Sequence, residues 1–223
     1  MALNLTFIIR SPRSWRIPSI QRQWDGTPIF AKDVLKDDIA CGYNSTMVNP
    51  SLHAPIRAGQ QITAYHDTKW DDGPAGGWYH TDGPIYIYLG RCPGLSCEGF
   101  DATKASWFKV AQIGLRPGAP NLYRESWLQT WAIHGTDVDG GADAYPDKQP
   151  GLTLTIPEEI EPGAYLIRHE VINLASYEAE LFVQCAQLNI TSSSKGYRPT
   201  KEFMTTFPGA YHPHGKCSVI ILS

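Results

Sequence analysis

The feature that most constrains the fold is a succession of short runs rich in β-branched and aromatic residues, each bounded by Gly, Pro, Asn or Asp. The clearest runs are residues 84–90, 106–115, 151–157, 163–175, 180–190 and 217–223. No segment keeps a 3.6-residue apolar period over three helical turns, so the pattern indicates strands separated by turns. We therefore predict an all-β protein, an antiparallel β-sandwich with long loops at 66–83 and 134–151.

Length and charge exclude several classes of protein. At 223 residues the chain suits one domain with a sizeable core. Its 19 Lys and Arg against 22 Asp and Glu give a net charge of −3, without a run of basic residues. We therefore expect no nucleic-acid partner. No apolar run approaches the roughly 18 residues of a membrane span, so we expect no membrane partner.

The aromatic content has two interpretations. The chain has 7 Trp and 11 Tyr but few charged residues for its size. Such a composition suits a surface that stacks on uncharged sugar rings. Aromatic residues also fill the core of a β-sandwich, which is the more frequent role of any single one of them.

Cysteine usage indicates an oxidising compartment. In the segment CPGLSC, a Pro-Gly turn can bring the sulfurs of Cys92 and Cys97 together. A zinc site would need a second Cys/His pair at suitable spacing, and none follows, so a disulfide is the better interpretation. Three N-x-S/T sequons agree with a secretory route, at Asn4, Asn44 and Asn189. Yet MALNLTFII lacks the features of a signal peptide, and we interpret residues 1–24 as a gene-model artefact.

His80 is the histidine with the most suggestive surroundings. It lies in GGWYHTDGPIYIYLG, between two aromatic residues and a Gly-Pro, just before a predicted strand. From the residues alone it is either a polar loop residue or a metal ligand. The other histidines form no helical H-x-x-x-H pair, and His212 with His214 fits an exposed loop. No G-x-S-x-G elbow is present, and no spacing singles out a pair of glycosidase carboxylates.

Several segments, taken in order, resemble a known family. They are IACG (39–42), WYHTDGPIYIYL, CPGLSC, FDATKASWFKVAQIGL (100–115), LTIPEEIEPGAYLIRHEVINL (154–174), FVQCAQLNI (182–190) and FPGAY (207–211). Together they resemble the fungal lytic polysaccharide monooxygenases of auxiliary activity family nine, formerly glycoside hydrolase family sixty-one. The resemblance covers residues 25–223 and leaves residues 1–24 unmatched.

This resemblance implies an immunoglobulin-like sandwich with a flat face that carries one copper ion. In the family, copper is held by a histidine brace, made of the amino group and imidazole of an N-terminal histidine and a second histidine. After reduction by an external electron donor, the site uses oxygen or peroxide to remove hydrogen from C1 or C4 of a glucose unit. The implied partner is cellulose or another β-glucan, and the implied protein is a secreted monomer.

The resemblance also assigns roles to individual residues. His80 matches the second histidine of the brace, and Tyr211 matches an aromatic residue that stacks on cellulose, although core packing is an equal alternative for it. Arg168, His169 and Glu170 match a buried polar segment, where we expect structural hydrogen bonds. The implied disulfides are Cys41–Cys185 and Cys92–Cys97, which leave Cys217 unpaired.

At the copper site the sequence departs from the family. The outer-shell histidine falls at Ala175, the outer-shell glutamine at Glu180 and the axial tyrosine at Phe182. A phenyl ring leaves metal ligation to the nitrogens, a carboxylate adds a negative charge, and the side chain of Ala175 cannot donate a hydrogen bond. The chain also begins at Met1 rather than at a histidine. The alternative function is therefore a non-catalytic carbohydrate-binding relative without a complete brace. A glycoside hydrolase is disfavoured, because it needs two carboxylates across a cleft.

Overall fold

The structure is a computed structural model that describes residues 5–10, 19–22, 26–43, 52–67, 78–123, 126–134, 151–193 and 196–212, with only the backbone at 5–10, 67 and 134. These residues contain ten strands and a single α-helix. The strands are β1 (Leu5–Arg10), β2 (Ile29–Phe30), β3 (Ala54–Arg57), β4 (Gln61–Asp67), β5 (Ile85–Arg91), β6 (Trp107–Ile113), β7 (Leu152–Thr155), β8 (Gly163–Asn173), β9 (Glu180–Thr191) and β10 (Met204–Thr205); the helix is α1 (Gln129–His134). Within the described ranges, no helix has the length and apolarity to cross a membrane.

The strands form two sheets, as expected for a sandwich. The smaller sheet has the order β1-β4-β7, and the larger has the order β10-β6-β5-β8-β9-β2, with β3 also paired to β9. Most pairings are antiparallel, but β1 pairs with β4 and β3 pairs with β9 in parallel. Strands far apart in sequence need no hairpin between them, so they are free to pair in parallel. The predicted β-sandwich is confirmed, with these two parallel pairings as the exception.

The larger sheet is buried on both faces. Along β8 every residue after Gly163 is buried, and β5 is buried from Ile85 to Gly90. One face packs against the smaller sheet in a cluster that includes Trp78, Ile167 and Phe182. The other face packs against loops and 3-10 turns in a second cluster that includes Tyr88 and Phe207. Burial on both faces explains why β5 is a nearly continuous apolar run and why β8 does not alternate between apolar and polar residues.

Both implied disulfides are present. Cys41 is bonded to Cys185 in β9, and Cys92 is bonded to Cys97 just after β5. The first joins the 3-10 turn Asp37–Ala40 to the middle of the larger sheet, where Cys41 and Cys185 are fully buried. The implied state of Cys217 concerns a residue outside the described ranges.

Five of the six strands predicted most clearly are present, as β5 to β9. The sixth, at 217–223, lies outside the described residues, as do most of the two predicted long loops. The short strands β2, β3 and β10 and the helix α1 had no distinct signal, because a helix of six residues is too short to display an apolar period. Strand β1 lies inside the segment 1–24, whose separation from the domain stays a prediction.

Candidate metal centre

The backbone fixes the segment that carries His80 against the end of β8. The Leu174 N–H donates to the Asp82 carbonyl at 2.7 Å, and the Ile172 N–H donates to the Pro84 carbonyl at 3.0 Å. Between them Gly83 has a φ of +139°, and a Cβ atom there would lie 2.0 Å from the Ile172 carbonyl oxygen. Only glycine fits this close approach, so Gly83 is a structural requirement of the turn.

Gln129, in the first turn of α1, holds both ends of the same segment. Its side chain is fully buried. The Trp78 indole Nε1 donates to Gln129 Oε1 at 3.0 Å. Gln129 Nε2 donates to the carbonyls of Gly83 at 3.1 Å and Ile172 at 2.8 Å. One amide therefore connects the residues flanking His80 to strand β8.

Aromatic rings surround the His80 imidazole on three sides. The ring centroids of Tyr79, Phe182 and Trp78 lie 4.1, 5.1 and 5.2 Å from that of His80. Burial lowers the pKa of His80, although the charges of Glu180 and Asp82 act in the opposite direction. The lowered pKa keeps the imidazole neutral at neutral pH, and a neutral imidazole has one nitrogen lone pair to offer a metal.

The Nε2 atom of His80 is buried and lacks a hydrogen-bond partner among the described residues. Its nearest charged neighbour is Glu180, with Oε2 at 3.8 Å, too long for a hydrogen bond. A buried polar atom without a partner is uncommon in a native fold and requires an explanation, such as an ion. This nitrogen fits the role of a metal ligand.

Asn173 holds the Glu180 carboxylate near His80. Asn173 Nδ2 donates to Glu180 Oε2 at 2.6 Å and to Ser176 Oγ at 2.9 Å. Its Oδ1 accepts the Ala175 N–H at 3.0 Å. These bonds close the hairpin between β8 and β9, so the carboxylate at the start of β9 projects toward the imidazole. Burial and the Glu180 charge together raise the pKa of Tyr79.

The residues present fit a copper ion in part. His80 supplies a neutral nitrogen, Glu180 lies beside it, and Phe182 supplies a hydrophobic ring without a donor atom. Within the described part of the chain, three or more His, Cys, Asp or Glu residues nowhere gather into a metal-binding group. The described donor set is thus one imidazole with a neighbouring carboxylate. A copper ion would need further nitrogen donors beyond it.

Tyr211 lies elsewhere in the fold. It packs against the second cluster, on the other face of the larger sheet from Trp78 and Phe182. Its hydroxyl donates to Glu170 Oε2 at 2.8 Å, and burial and the Glu170 charge raise its pKa well above the usual value. The structure thus ties the polar end of Tyr211 into the protein. Its predicted role in stacking on a polysaccharide stays a prediction.

The buried polar segment of β8 makes the structural hydrogen bonds expected of it. Arg168 donates to the carbonyls of Ile39 and Ala40 and to Glu170 Oε2, at 2.9, 3.0 and 2.9 Å respectively. Its guanidinium also lies 3.7 Å from the centroid of the Phe207 ring. This pair organises the protein interior on the side of the sheet away from His80.

Two exposed tyrosines, on the His80 segment and on the hairpin that carries Glu180, were missed by sequence reasoning. Tyr79, half exposed, contacts the imidazole, and Tyr177, fully exposed, lies on the β8–β9 hairpin just before Glu180. The sequence signal that could have identified Tyr79 was its position next to His80. Gln129 gave no signal, because its partners are distant in sequence. Asn173 gave none, because its bonds to Ser176 and Glu180 form only when the β8–β9 hairpin folds.

Comparison with known proteins gives a consistent result. The profile of Auxiliary Activity family 9 (formerly GH61) matches residues 6–221. The chain is 33% identical over 194 residues to the AA9 family lytic polysaccharide monooxygenase-like protein CEL1 of Agaricus bisporus, covering 86% of this chain and 52% of that protein. It is 31% identical over 184 residues to AA9 family lytic polysaccharide monooxygenase D of Gloeophyllum trabeum, covering 81% and 45%. The chain thus spans about half the length of these relatives.

Solved structures share the fold. HiLPMO9B superposes with a TM-score of 0.66 at 27% identity, covering 92% of this chain and 80% of that one. A cellulose-active polysaccharide monooxygenase from M. thermophila superposes with a TM-score of 0.67 at 23% identity, covering 95% and 82%. The second likeness concerns the fold alone.

Proposed function

We propose, on the premise that this chain belongs to Auxiliary Activity family 9, that it acts as a copper-dependent lytic polysaccharide monooxygenase on cellulose or another β-1,4-glucan. In this proposal it is a secreted monomer that receives electrons from an external donor and oxidises C1, C4 or both. The observation that carries the proposal is the buried Nε2 of His80, which has no hydrogen-bond partner in the described part of the chain.

The chain's own residues would prepare the site in three ways. The neutral His80 imidazole would bind the metal through Nε2. Phe182 and Trp78 would exclude water from one side of it, since their rings lie 5.1 and 5.2 Å from the imidazole. Glu180, held by Asn173, would accept a hydrogen bond from a group bound nearby. Copper, when bound, would supply one-electron redox chemistry toward oxygen or peroxide.

The exposed rings beside His80 would hold the substrate. Tyr79 and Tyr177 are exposed on the loop and hairpin that carry His80 and Glu180. Tyrosine rings offer a flat apolar surface with a polar edge, which suits the apolar face of a glucose ring. The stacking role that the family resemblance implies for Tyr211 would need a separate contact with the polysaccharide, because Tyr211 packs on the other face of the larger sheet.

Activity on cellulose tests the proposal. The purified protein is incubated with copper, ascorbate and cellulose, and soluble oligosaccharides are analysed for aldonic acids and C4-ketones by mass spectrometry. Oxidised products are expected from the native chain and not from His80→Ala. His212→Ala is the matched control, because His212 is an exposed histidine in the 207–212 segment. Equal product release by His80→Ala would contradict the proposal.

A second candidate function is a carbohydrate-binding protein without copper chemistry. It is favoured by the described donor set, in which His80 is the one nitrogen ligand. The Glu180 carboxylate, 3.8 Å from His80 Nε2, would also oppose a build-up of negative charge on a group bound there. This alternative expects binding to cellulose in a pull-down assay, no stoichiometric copper uptake by calorimetry, and no oxidised products. In that case Tyr79→Ala and Tyr177→Ala would weaken cellulose binding, whereas His80→Ala would leave it unchanged.

A further inference from the structure

We propose that Asn189 carries an N-linked oligosaccharide, at the end of the sandwich opposite His80. The sequon Asn189-Ile190-Thr191 lies wholly within β9. Successive side chains of a strand point to opposite faces, so Asn189 and Thr191 share one face and Ile190 occupies the other. Ile190 is buried in the core between the sheets, whereas Asn189 and Thr191 are both exposed.

This alternation exposes both groups that glycan transfer requires. The acceptor is the Asn189 amide, and the Thr191 hydroxyl is the second element of the N-x-S/T sequon. Had the register of β9 been shifted by one residue, both groups would lie in the core. The fold therefore presents the whole sequon to solvent and buries only its middle residue.

The surroundings of Asn189 leave space for a large substituent. Strand β3 runs beside it, with Pro55 opposite Asn189 and Arg57 opposite Thr191, both exposed. On its other side the cross-strand partner is Ala164, which is small and buried in the second cluster. A glycan that leaves this face meets open solvent on the β3 side, above the exposed Pro55 and Arg57.

Disulfide formation and N-glycan addition take place in the same cellular compartment. Cys41–Cys185 and Cys92–Cys97 need an oxidising environment, such as the secretory pathway where N-glycans are added. In the transfer a bond forms between Asn189 Nδ2 and C1 of a lipid-pyrophosphate-linked oligosaccharide. The C1–O bond to the pyrophosphate breaks, the lipid pyrophosphate leaves, and the amide loses one proton.

The position of Asn189 separates the glycan from the candidate metal centre. Both residues lie on β9, with Glu180 at its start and Asn189 near its end. At about 3.3 Å per residue, the strand places them about 30 Å apart. A glycan at Asn189 therefore leaves the surface around His80 and Tyr79 uncovered, and the proposal is independent of copper chemistry.

The test uses the full chain expressed in a eukaryotic host behind a cleavable secretion leader. Secreted and cell-retained fractions are treated with a peptide N-glycosidase in heavy-oxygen water, which labels each previously glycosylated asparagine as aspartate. Peptide mass spectrometry reads Asn189 separately from the sequons at Asn4 and Asn44. A labelled Asn189 is expected. An unlabelled Asn189 in both fractions would overturn the proposal.

Two substitutions of one residue sharpen this test. Thr191→Ser keeps a hydroxyl in the sequon and is expected to retain the glycan. Thr191→Ala removes the hydroxyl and is expected to yield unlabelled Asn189 and faster migration on a denaturing gel. Because Thr191 is exposed, neither change disturbs the core. Equal labelling of the two variants would contradict recognition of this sequon.

Discussion

Glu180 is the residue with the greatest influence on the chemistry around His80. Its carboxylate is held by the Asn173 amide at 2.6 Å and lies 3.8 Å from the imidazole Nε2. A negative charge so close favours binding of a cation. It also opposes any step that builds up negative charge on a group bound at the same place.

We expect Glu180→Gln to raise the rate of oxidised-product release by up to about tenfold, the equivalent of about 1.4 kcal/mol of activation free energy. The substitution removes the charge but keeps the size of the side chain and its ability to hydrogen-bond. The measurement is the initial rate on cellulose at saturating ascorbate. Glu178→Gln is the control, because Glu178 lies on the same hairpin but pairs with Lys32. An equal rate for native protein and Glu180→Gln would show that the charge is unimportant.

A second residue, His169, makes the fold sensitive to acid. Burial, and then the neighbouring His66, lower its pKa to about 3, below the ordinary value of 6.5. The unfolded chain therefore binds this proton more readily than the folded chain. Stability contributed by the neutral imidazole is complete above about pH 6.5 and is lost as the pH falls toward about 3.

We expect His169→Gln to flatten this part of the pH dependence. Between pH 7 and pH 4.5 the native protein should lose about 2 to 3 kcal/mol of unfolding free energy more than the variant does. Urea unfolding at the two pH values measures the difference. Since only the slope is compared, a variant of lower absolute stability is still informative. Parallel slopes would show that His169 does not control acid sensitivity.

At the level of elements, the His80 segment depends on a helix that is remote in sequence. Gln129 in α1 accepts from Trp78 and donates to Gly83 and Ile172. Its replacement would leave one buried donor and two acceptors with one hydrogen bond fewer each. Buried groups that lose a partner cost about 1–3 kcal/mol apiece, less where other partners remain.

Gln129→Leu is therefore expected to cost about 2 to 4 kcal/mol of unfolding free energy and to speed amide hydrogen exchange across residues 78–84. The matched control is Gln112→Leu. The side chain of Gln112 is exposed and accepts from Lys109 Nζ at 2.8 Å, so we expect a change below about 0.5 kcal/mol. Unchanged exchange rates in 78–84 would show that the segment is held by its backbone bonds alone.

The elements differ in how far sequence could predict them. Strands β8 and β9 were recognisable because each is rich in β-branched and aromatic residues and is bounded by turn residues, although Arg168, His169 and Glu170 interrupt the apolar run of β8. The hydrogen bonds of Gln129 could not be predicted, since they join a six-residue helix to the carbonyls of Gly83 and Ile172, which are distant in sequence. Likewise His80 was identified by its neighbours, whereas its contact with Glu180 depends on how the β8–β9 hairpin folds.

At the level of the whole molecule, the two disulfides should differ in their contribution to stability. Cys41 and Cys185 are separated by 144 residues, but Cys92 and Cys97 by only 5. The entropy removed from the unfolded chain grows with the logarithm of loop length. We expect replacement of both cysteines by alanine to cost about 5 kcal/mol for the long loop and about 2 kcal/mol for the short one.

Thermal and urea unfolding of the two double variants tests which loses more unfolding free energy. One variant lacks Cys41 and Cys185, and the other lacks Cys92 and Cys97. The second variant is the internal control for the loss of any disulfide. A short-loop variant that is as unstable as the long-loop variant would show that local packing around Cys92 outweighs chain entropy.

The bond between Cys41 and Cys185 also changes what happens when the backbone is cut. It closes most of the chain into a covalent ring, from the 3-10 turn Asp37–Ala40 to the middle of β9. One proteolytic nick anywhere in that ring opens it but releases no fragment, because the two halves stay joined through sulfur. Only a second cut in the ring can detach a piece. A protein exposed to proteases thus survives a first cleavage within the ring as one molecule, and a sample nicked there would separate into two chains only on a reducing gel.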